Sequence, residues 1–213
     1  MLATLAGQRQ IVLLDGEGIG GYDDKTGKVL WWHEWKTMNG INVAQPVILE
    51  GDRVFVSAAY DVGCSVFHIS KAGEKWNQPD EQWHNRNMRC KFSSPVLYQG
   101  FLYGLDEGYL VCLDPVTGQR HWKGKGYGHG QLLLTRDILV ILSERGKLVL
   151  VKAAPELDRR TQNEISSMQA INGKTWNCFA LADGIAYVRN DMEMAAYDLR
   201  ASRDNAVEVA PRK

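Results

Sequence analysis

The sequence predicts an all-β protein, a β-propeller of about five four-stranded antiparallel blades. These blades form either a small propeller or part of a larger one. Three observations lead to this fold class. A nine-residue turn motif occurs twice at a distance of two blade lengths, and a strand–turn–strand unit recurs along the chain. The composition, with 21 Gly and 7 Trp against 6 Pro in 213 residues, is typical of short strands joined by tight turns.

The turn motif is Asp-x-x-Thr-Gly-x-x-x-Trp. It reads DDKTGKVLW from Asp23 to Trp31 and DPVTGQRHW from Asp114 to Trp122, and a shortened copy, SKAGEKW, ends at Trp76. The two full copies are 91 residues apart, whereas one propeller blade takes about 40–45 residues. The motif therefore marks corresponding turns in two blades that are separated by one further blade.

The second repeated unit is an apolar strand, a tight turn and another apolar strand. Its copies are PVILEGDRVFV, PVLYQGFLYGL, LLLTRDILVIL and FALADGIAYVR, with the N-terminal relative LATLAGQRQIVLL. The turn residues are Gly7, Gly51, Gly100, Asp137 and Gly184, and their spacings lie between 37 and 49 residues. This spacing predicts a single domain over residues 1–213, with blades that start near residues 2, 45, 94, 131 and 178.

The turn motif has a structural role in this interpretation. Its Asp and Thr side chains can accept hydrogen bonds from backbone amides in the turn, and its Gly can take the left-handed corner. Its Trp then packs against the neighbouring blade and buries ~150–250 Å² of aromatic surface. The predicted docking residues are Asp23, Gly27, Trp31, Asp114, Gly118 and Trp122, and Trp76 is a weaker third docking tryptophan.

The charges balance, with 25 Lys and Arg against 25 Asp and Glu, which argues against nucleic-acid or anionic-membrane binding because both need a basic surface. No apolar stretch approaches the ~20 residues of a membrane helix. The N-terminal residues lack the basic region of a signal peptide. The four cysteines are far apart, so we expect buried apolar side chains, no metal site and no required disulfide; they are Cys64, Cys90, Cys112 and Cys178.

Both repeats resemble those of the bacterial PQQ-like (pyrroloquinoline quinone, quinoprotein-type) β-propeller repeat proteins. The resemblance rests on the DxxTGxxxW turns and on segments such as DEGYLVCLDPVTGQRHWKGKGYGHGQLLL and GKTWNCFALADGIAYVRNDMEMAAYDL, and it extends over roughly residues 1–200. It implies an exported or periplasmic propeller that is typically eight-bladed and about twice as long. The chain resembles the C-terminal part of such a protein, and its own localisation stays unknown.

The resembled family shares its propeller with dehydrogenases that hold PQQ and calcium, and the present sequence departs from their pattern. Those enzymes have adjacent cysteines over the cofactor, oxygen ligands on the calcium ion and often a CxxCH haem site. Here no two cysteines are adjacent, CxxCH is absent, and no cluster of the oxygen ligands that calcium needs can be placed. We therefore expect no catalytic residues and no cofactor, with PQQ and calcium as the alternative.

A ligand site is predicted where the innermost strands begin, because these strands line the channel of a propeller. Polar residues recur six positions before the turn residues of the strand–turn–strand units. The positions eight residues before these turn residues include His129 and Trp176. Amide, imidazole, indole and cationic groups are typical of small-molecule and peptide sites. The alternative, a wet polar channel without a ligand, stays open. The candidate ligand-binding residues are Gln45, Lys91, Ser94, Tyr127, His129, Gln131, Lys174, Trp176 and Asn177.

Three functions agree with these observations. The first is a non-catalytic propeller that binds a protein or a small ligand at the channel face. The second is a fragment or relative of a PQQ-dependent dehydrogenase. The third is a structural repeat that closes by pairing with a second copy as a homodimer, because an incomplete arc would leave blade faces and sheet edges exposed.

Overall fold

The computed structural model describes residues 1–200 and confirms the predicted all-β fold class. Strands make up 52% of the structure, about twice the share of an ordinary globular protein, and residues 1–200 contain no α-helix. No helical segment in this part of the chain could cross a membrane. The predicted single domain extends to Lys213, beyond the described residues, and stays a prediction.

The first two blades are four-stranded antiparallel sheets in which neighbouring strands pair in order. Blade 1 contains β1 (Leu2–Leu5), β2 (Gln8–Leu14), β3 (Gly18–Asp23) and β4 (Val29–Glu34). Blade 2 contains β5 (Val47–Leu49), β6 (Arg53–Ala58), β7 (Gly63–His68) and β10 (Asp80–Asn85). A two-stranded ribbon interrupts blade 2 before its last strand, and it contains β8 (Lys71–Ala72) and β9 (Lys75–Trp76).

The remaining blades repeat this pattern, and the fifth has three strands among the described residues. Blade 3 contains β11 (Val96–Tyr98), β12 (Phe101–Asp106), β13 (Tyr109–Leu113) and β14 (Arg120–Gly126). Blade 4 contains β15 (Gln131–Thr135), β16 (Ile138–Leu142), β17 (Lys147–Lys152) and β18 (Glu164–Gln169). Blade 5 contains β19 (Ala180–Ala182), β20 (Ile185–Arg189) and β21 (Met194–Asp198).

Apolar side chains hold the blades together in chain order. Four buried clusters within residues 1–200 join blade 1 to blade 2, blade 2 to blade 3, blade 3 to blade 4 and blade 4 to blade 5. The second strands of blades 2, 3 and 4 are buried on both faces, because a blade stacks on each side of them. In β2 and β20 buried and exposed residues alternate, so each of these strands has one uncovered face.

The two full copies of the turn motif have the same geometry. The carboxylate of Asp23 accepts hydrogen bonds from the Thr26 amide at 2.8 Å and the Thr26 hydroxyl at 2.7 Å. Asp114 accepts from the Thr117 hydroxyl at 2.8 Å in the same way. The glycine that follows, Gly27 or Gly118, has a φ of +71° in both copies, which a residue with a side chain rarely adopts.

The tryptophans of the outer strands differ in how they dock. Trp122 is buried between blades 3 and 4, and its indole donates to the Ala154 carbonyl of blade 4 at 3.2 Å. Trp31 is buried between blades 1 and 2, but its indole donates to Gln10 of its own blade at 2.6 Å. Trp76 lies in the inserted ribbon and packs beside this same cluster.

Although the turn motif points to Trp76, the docking tryptophan of blade 2 is Trp83. Its indole donates to the carbonyl of Pro115 in blade 3 at 3.1 Å, as that of Trp122 does to blade 4. In both cases the acceptor follows the third strand of the next blade. The inserted ribbon explains this difference, because the shortened motif copy that ends at Trp76 lies in the ribbon and not in the outer strand β10.

Three of the four cysteines are buried apolar side chains, as expected, and the fourth is not. Burial raises the pKa of Cys64, Cys90 and Cys112 to about 12, so these thiols stay protonated at neutral pH. Cys178 is exposed, because it stands at the channel wall where blade 5 begins.

A buried carboxylate joins the loop before blade 3 to the outer strand of that blade. Asp106 has no exposed side-chain surface, and it accepts from Arg89 at 2.9 Å, Lys123 at 2.7 Å and Arg120 at 3.3 Å. Burial by itself raises the pKa of Asp106, but the hydrogen bonds and charges of Arg89 and Lys123 outweigh it. The pKa therefore lies below its ordinary value, and the ionised form stabilises the fold.

We predict that Asp106→Asn lowers the free energy of unfolding at pH 7 by about 3 kcal/mol, because it leaves three cations without their carboxylate. The folded-state pKa lies below the unfolded value of about 3.9, so this stabilisation is present above about pH 4 and disappears as the pH falls further. Urea unfolding between pH 3 and pH 7 measures the difference. The matched control is Asp137→Asn at an exposed turn, and an equal loss in both variants would contradict the assignment.

Candidate functional site

The central channel is a cavity of about 400 Å³ where the innermost strands of all five blades begin. One residue from each blade lines it at the same register, six residues before the first turn. These residues are Met1, Gln45, Ser94, Gln131 and Cys178. The polar residues that the sequence places in the channel therefore do come together, and apolar neighbours such as Pro46, Val96 and Phe179 complete the wall.

The channel residues also connect the blades. The backbone N–H of Gln45 donates to the Ser94 hydroxyl at 3.0 Å, which links blade 2 to blade 3. The buried side chain of Gln131 donates to the carbonyls of Phe92 at 3.1 Å and Trp176 at 2.9 Å. Gln131 thus holds together the loops that precede blades 3 and 5, which gives it a structural role.

Three aromatic rings meet at the channel mouth. Phe92 lies with its ring centroid 4.8 Å from that of Trp176 and 5.9 Å from that of His129. The rings come from the loops before blades 3, 5 and 4, all eight residues before the corresponding turn. Trp176 keeps 39% of its surface exposed, so this aromatic cluster is accessible to a ligand.

Two lysines flank the aromatic cluster. The Lys174 ammonium lies 3.3 Å from the Trp176 ring centroid, and the Lys91 ammonium lies 5.4 Å from the rings of both Phe92 and Tyr60. Cations at these distances are attracted to the faces of aromatic rings. The mouth therefore combines one exposed indole ring and two half-buried rings with two positive charges.

Glu144 anchors the cluster from below. It lies in the turn between β16 and β17, and its carboxylate accepts from the His129 amide at 3.1 Å and the Trp176 indole at 2.9 Å. A Cβ atom on Gly128, whose φ is +67°, would collide with this carboxylate, so the glycine before His129 is needed for the close approach. Burial raises the pKa of Glu144, but these two hydrogen bonds and the nearby Lys174 ammonium lower it more, and the carboxylate is ionised.

The structure corrects the placement of Tyr127. Its ring is buried between blades 3 and 4, and its hydroxyl donates to Glu164 at 3.5 Å, in a groove beside the mouth that Glu144 also lines. Asn177 is half-buried beside Trp176. The mouth cluster therefore contains four of the predicted residues together with Phe92, Tyr60 and Glu144, which were not predicted; the four are Lys91, His129, Lys174 and Trp176.

The residues of the channel do not fit a calcium–quinone pair. Hydroxyl and amide groups line the cavity, and the carboxylate at its mouth, Glu144, already accepts two N–H donors. Residues 1–200 contain no group of three His, Cys, Asp or Glu side chains that could hold a metal ion. Calcium takes six to eight oxygen ligands, several of them usually carboxylates.

Comparison with known proteins identifies the repeat. The family model described as outer membrane protein assembly factor BamB matches residues 1–124. The crystal structure of BamB from Moraxella catarrhalis is 14% identical with a TM-score of 0.58, over 89% of this chain and 61% of that one. The search of curated proteins found no match.

Two computationally designed proteins have the same fold. The designed Ika8 protein is 17% identical with a TM-score of 0.66, over 93% of this chain and 57% of that one. The designed Ika4 protein is 11% identical with a TM-score of 0.57, over 82% of this chain and 100% of that one. The chain thus spans about three fifths of the length of Ika8 and of the Moraxella protein, and these likenesses show the fold alone.

We predict that Gln131→Leu lowers the free energy of unfolding by about 1–3 kcal/mol, because two carbonyls lose their donor. Hydrogen exchange should also become faster in the loops around Phe92 and Trp176. The matched control is Gln45→Leu, which removes a channel amide whose side chain makes no hydrogen bond within residues 1–200. Equal stability and exchange in the two variants would show that Gln131 does not tie the loops.

Proposed function

The chain belongs to the outer membrane protein assembly factor BamB family, and on that premise we propose that it is a non-catalytic binding module that holds a segment of a partner protein at its channel mouth. A propeller of this type is a scaffold or binding module. The proposal that it holds a protein segment rests on the mouth cluster of Phe92, His129 and Trp176 with its two lysines.

The chemistry of the mouth favours a particular kind of segment. The exposed ring of Trp176 and the half-buried ring of Phe92 offer apolar contact area at little entropic cost, as aromatic residues do at binding hot spots. Lys91 and Lys174 are the charges free to meet a ligand, because the Glu144 carboxylate is already engaged by the protein itself. We therefore expect a segment in which an aromatic or aliphatic side chain lies next to a carboxylate.

A protein partner also agrees with the family description, which names an assembly factor for outer membrane proteins. A role in outer membrane protein assembly agrees with a protein that is exported. A free small molecule with an aromatic ring and a carboxylate has the same chemistry as the proposed segment, so the test must separate the two by ligand length.

We predict that a displayed peptide library enriches acidic–aromatic segments on the full chain. Trp176→Ala should then weaken their binding at least tenfold in a polarisation assay, because an exposed indole at the centre of a site is a typical hot spot. Affinity should rise when residues are added on both sides of the minimal aromatic–acidic pair. If the pair alone binds as tightly as the longer peptides, the ligand is a small molecule.

The matched control is Tyr109→Ala. Tyr109 is another exposed aromatic residue with a lysine over its ring, since the Lys123 ammonium lies 4.6 Å from its centroid, but it belongs to the third strand of blade 3. Peptide affinity should be unchanged in this variant. Equal weakening in both variants, or no peptide enrichment, would contradict the proposal.

We also predict that binding needs no cofactor. Adding PQQ with calcium at up to high micromolar concentration should leave the tryptophan fluorescence of the chain unchanged, because the channel donors do not match a calcium ion. Saturable quenching that depends on calcium would instead favour the dehydrogenase-related alternative. A parallel titration with magnesium controls for ionic strength.

A further inference from the structure

A groove of about 490 Å³ lies between blades 3 and 4, beside the channel mouth. Blade 3 contributes the end of β14 and the loop after it, and blade 4 contributes β17, β18 and the turn between β16 and β17. The groove residues that matter below are Lys125, Tyr127, Ser143, Arg145, Lys147 and Ser167. None of them belongs to the aromatic cluster at the mouth, so the groove is a concave surface of its own.

The repeat shows which residues of blade 3 occupy the same positions as these groove residues. Ser143 corresponds to Asp106, because each stands six residues after the first turn residue of its blade, and both are buried. Tyr127 corresponds to Arg89. The carbonyl of each accepts a hydrogen bond from the backbone N–H of the glutamate that follows Ser143 or Asp106, at 2.9 Å and 3.1 Å respectively.

Ser167 corresponds in the same way to Lys123. Val111 and Val149 are each the third residue of the third strand in their blades. Lys123 pairs with Val111 across β13 and β14, and Ser167 pairs with Val149 across β17 and β18. Asp106 and two of its three cations are therefore replaced in blade 4 by two serines and a tyrosine.

These replacements explain why the groove is open. In blade 3 the side chains of Arg89 and Lys123 converge on the Asp106 carboxylate and fill the equivalent space. In blade 4 the two serine side chains are short, and the Tyr127 ring packs into the buried cluster between blades 3 and 4. Blade 4 therefore has a cavity where blade 3 has a buried carboxylate with its cations.

Two cations line the groove without a carboxylate partner. Arg145 and Lys147 are exposed, and neither side chain forms an ion pair or a hydrogen bond within residues 1–200. The two carboxylates of the groove are already engaged, because Glu164 accepts from the Lys125 ammonium at 2.8 Å and Glu144 accepts two N–H groups. Arg145 and Lys147 are therefore the groove charges that can meet a ligand.

Arg145 also connects the groove to the channel mouth. A more open concavity of about 520 Å³ next to the groove is lined by both Arg145 and Lys174. Lys174 in turn lies over the ring of Trp176. Three positive charges thus follow one another from the aromatic cluster to the groove, in the order Lys174, Arg145 and Lys147.

From this correspondence we infer that the groove between blades 3 and 4 is a carboxylate-binding subsite, in which an Asp or Glu side chain of a bound polypeptide contacts Arg145 and Lys147. The ligand supplies the negative charge that Asp106 supplies within blade 3. A guanidinium suits this ligand, because its N–H groups can bind both oxygens of a carboxylate. Assigning the carboxylate to the acidic flank of the segment at the mouth rests on the function proposed above.

A peptide without an aromatic side chain tests the subsite independently of the mouth. Acetylated tri-glutamate is titrated into the isotope-labelled chain, and the amide shifts of residues 143–147 are followed by NMR. These shifts should saturate, should weaken with added salt because the contacts are ionic, and should be absent with tri-glutamine. Lys147→Gln should abolish most of the effect. The absence of saturable shifts at these amides overturns the proposal.

The matched control is Lys152→Gln. Lys152 is another exposed lysine of β17, at the opposite end of the strand and outside the groove. Tri-glutamate should act on this variant as on the unmodified chain. Circular dichroism checks that both lysine variants are folded. Equal loss of the shifts in the two variants would contradict the role of Lys147.

A second measurement tests whether the subsite takes the flank of the segment. Aromatic–acidic peptides that bind the mouth are extended with one Glu at successive positions, and each is compared with the peptide that has Gln there. At one position Glu should bind at least about fivefold tighter, since hydrogen bonds between charged groups are stronger than neutral ones. In Lys147→Gln this preference should fall below about twofold, with the affinity of the Gln peptide unchanged.

The two measurements separate the subsite from the proposed function. Saturable tri-glutamate shifts without any enriched aromatic–acidic segment would contradict the proposed function and support the subsite. Enriched segments that bind equally well with Glu and Gln at every position would support the function and overturn the assignment of their flank to the groove. A Glu preference that persists in Lys147→Gln overturns that assignment as well.

Discussion

The apolar stacking of consecutive blades is the interaction on which the rest of this structure depends. Hydrogen bonds between strands are confined to single blades and the inserted ribbon. The backbone N–H and C=O groups of a blade therefore pair within that blade, and only contacts with the neighbouring blades fix its position. The contact between blades is made by side chains such as Leu139 and Ile141, which are completely buried between blades 3 and 4. Polar contacts such as that of Trp122 with Ala154 then fix the relative angle of blades that hydrophobic burial has already brought together.

The channel mouth is a consequence of this stacking. Blades that stack in order bring their entry loops to one end, where residues at the same register meet although they are tens of positions apart. Phe92, His129 and Trp176 come together in this way, and Gln131 and Glu144 hold them by hydrogen bonds to backbone and indole groups. The rings are therefore placed before any ligand arrives, and such preorganisation lowers the entropic cost of binding.

The same stacking explains why the ends of the array differ from its middle. An internal blade buries both faces of its second strand, whereas blades 1 and 5 keep one face each in solvent. The exposed face of blade 1 contains large apolar side chains, namely Ile11, Leu13 and Trp32.

The sequence by itself determined the class of the fold, the positions of the tight turns and the set of residues that reach the channel, because strand alternation and turn chemistry are local properties. It also indicated Trp31 and Trp122, since their motif is contiguous. Only the tertiary structure decided that Trp83 docks in place of Trp76, that Tyr127 points away from the channel and that Glu144 supports the mouth. Each of these depends on which loop an insertion displaces or which turn lies beneath a neighbouring blade, and such contacts between distant segments leave no pattern in the local sequence.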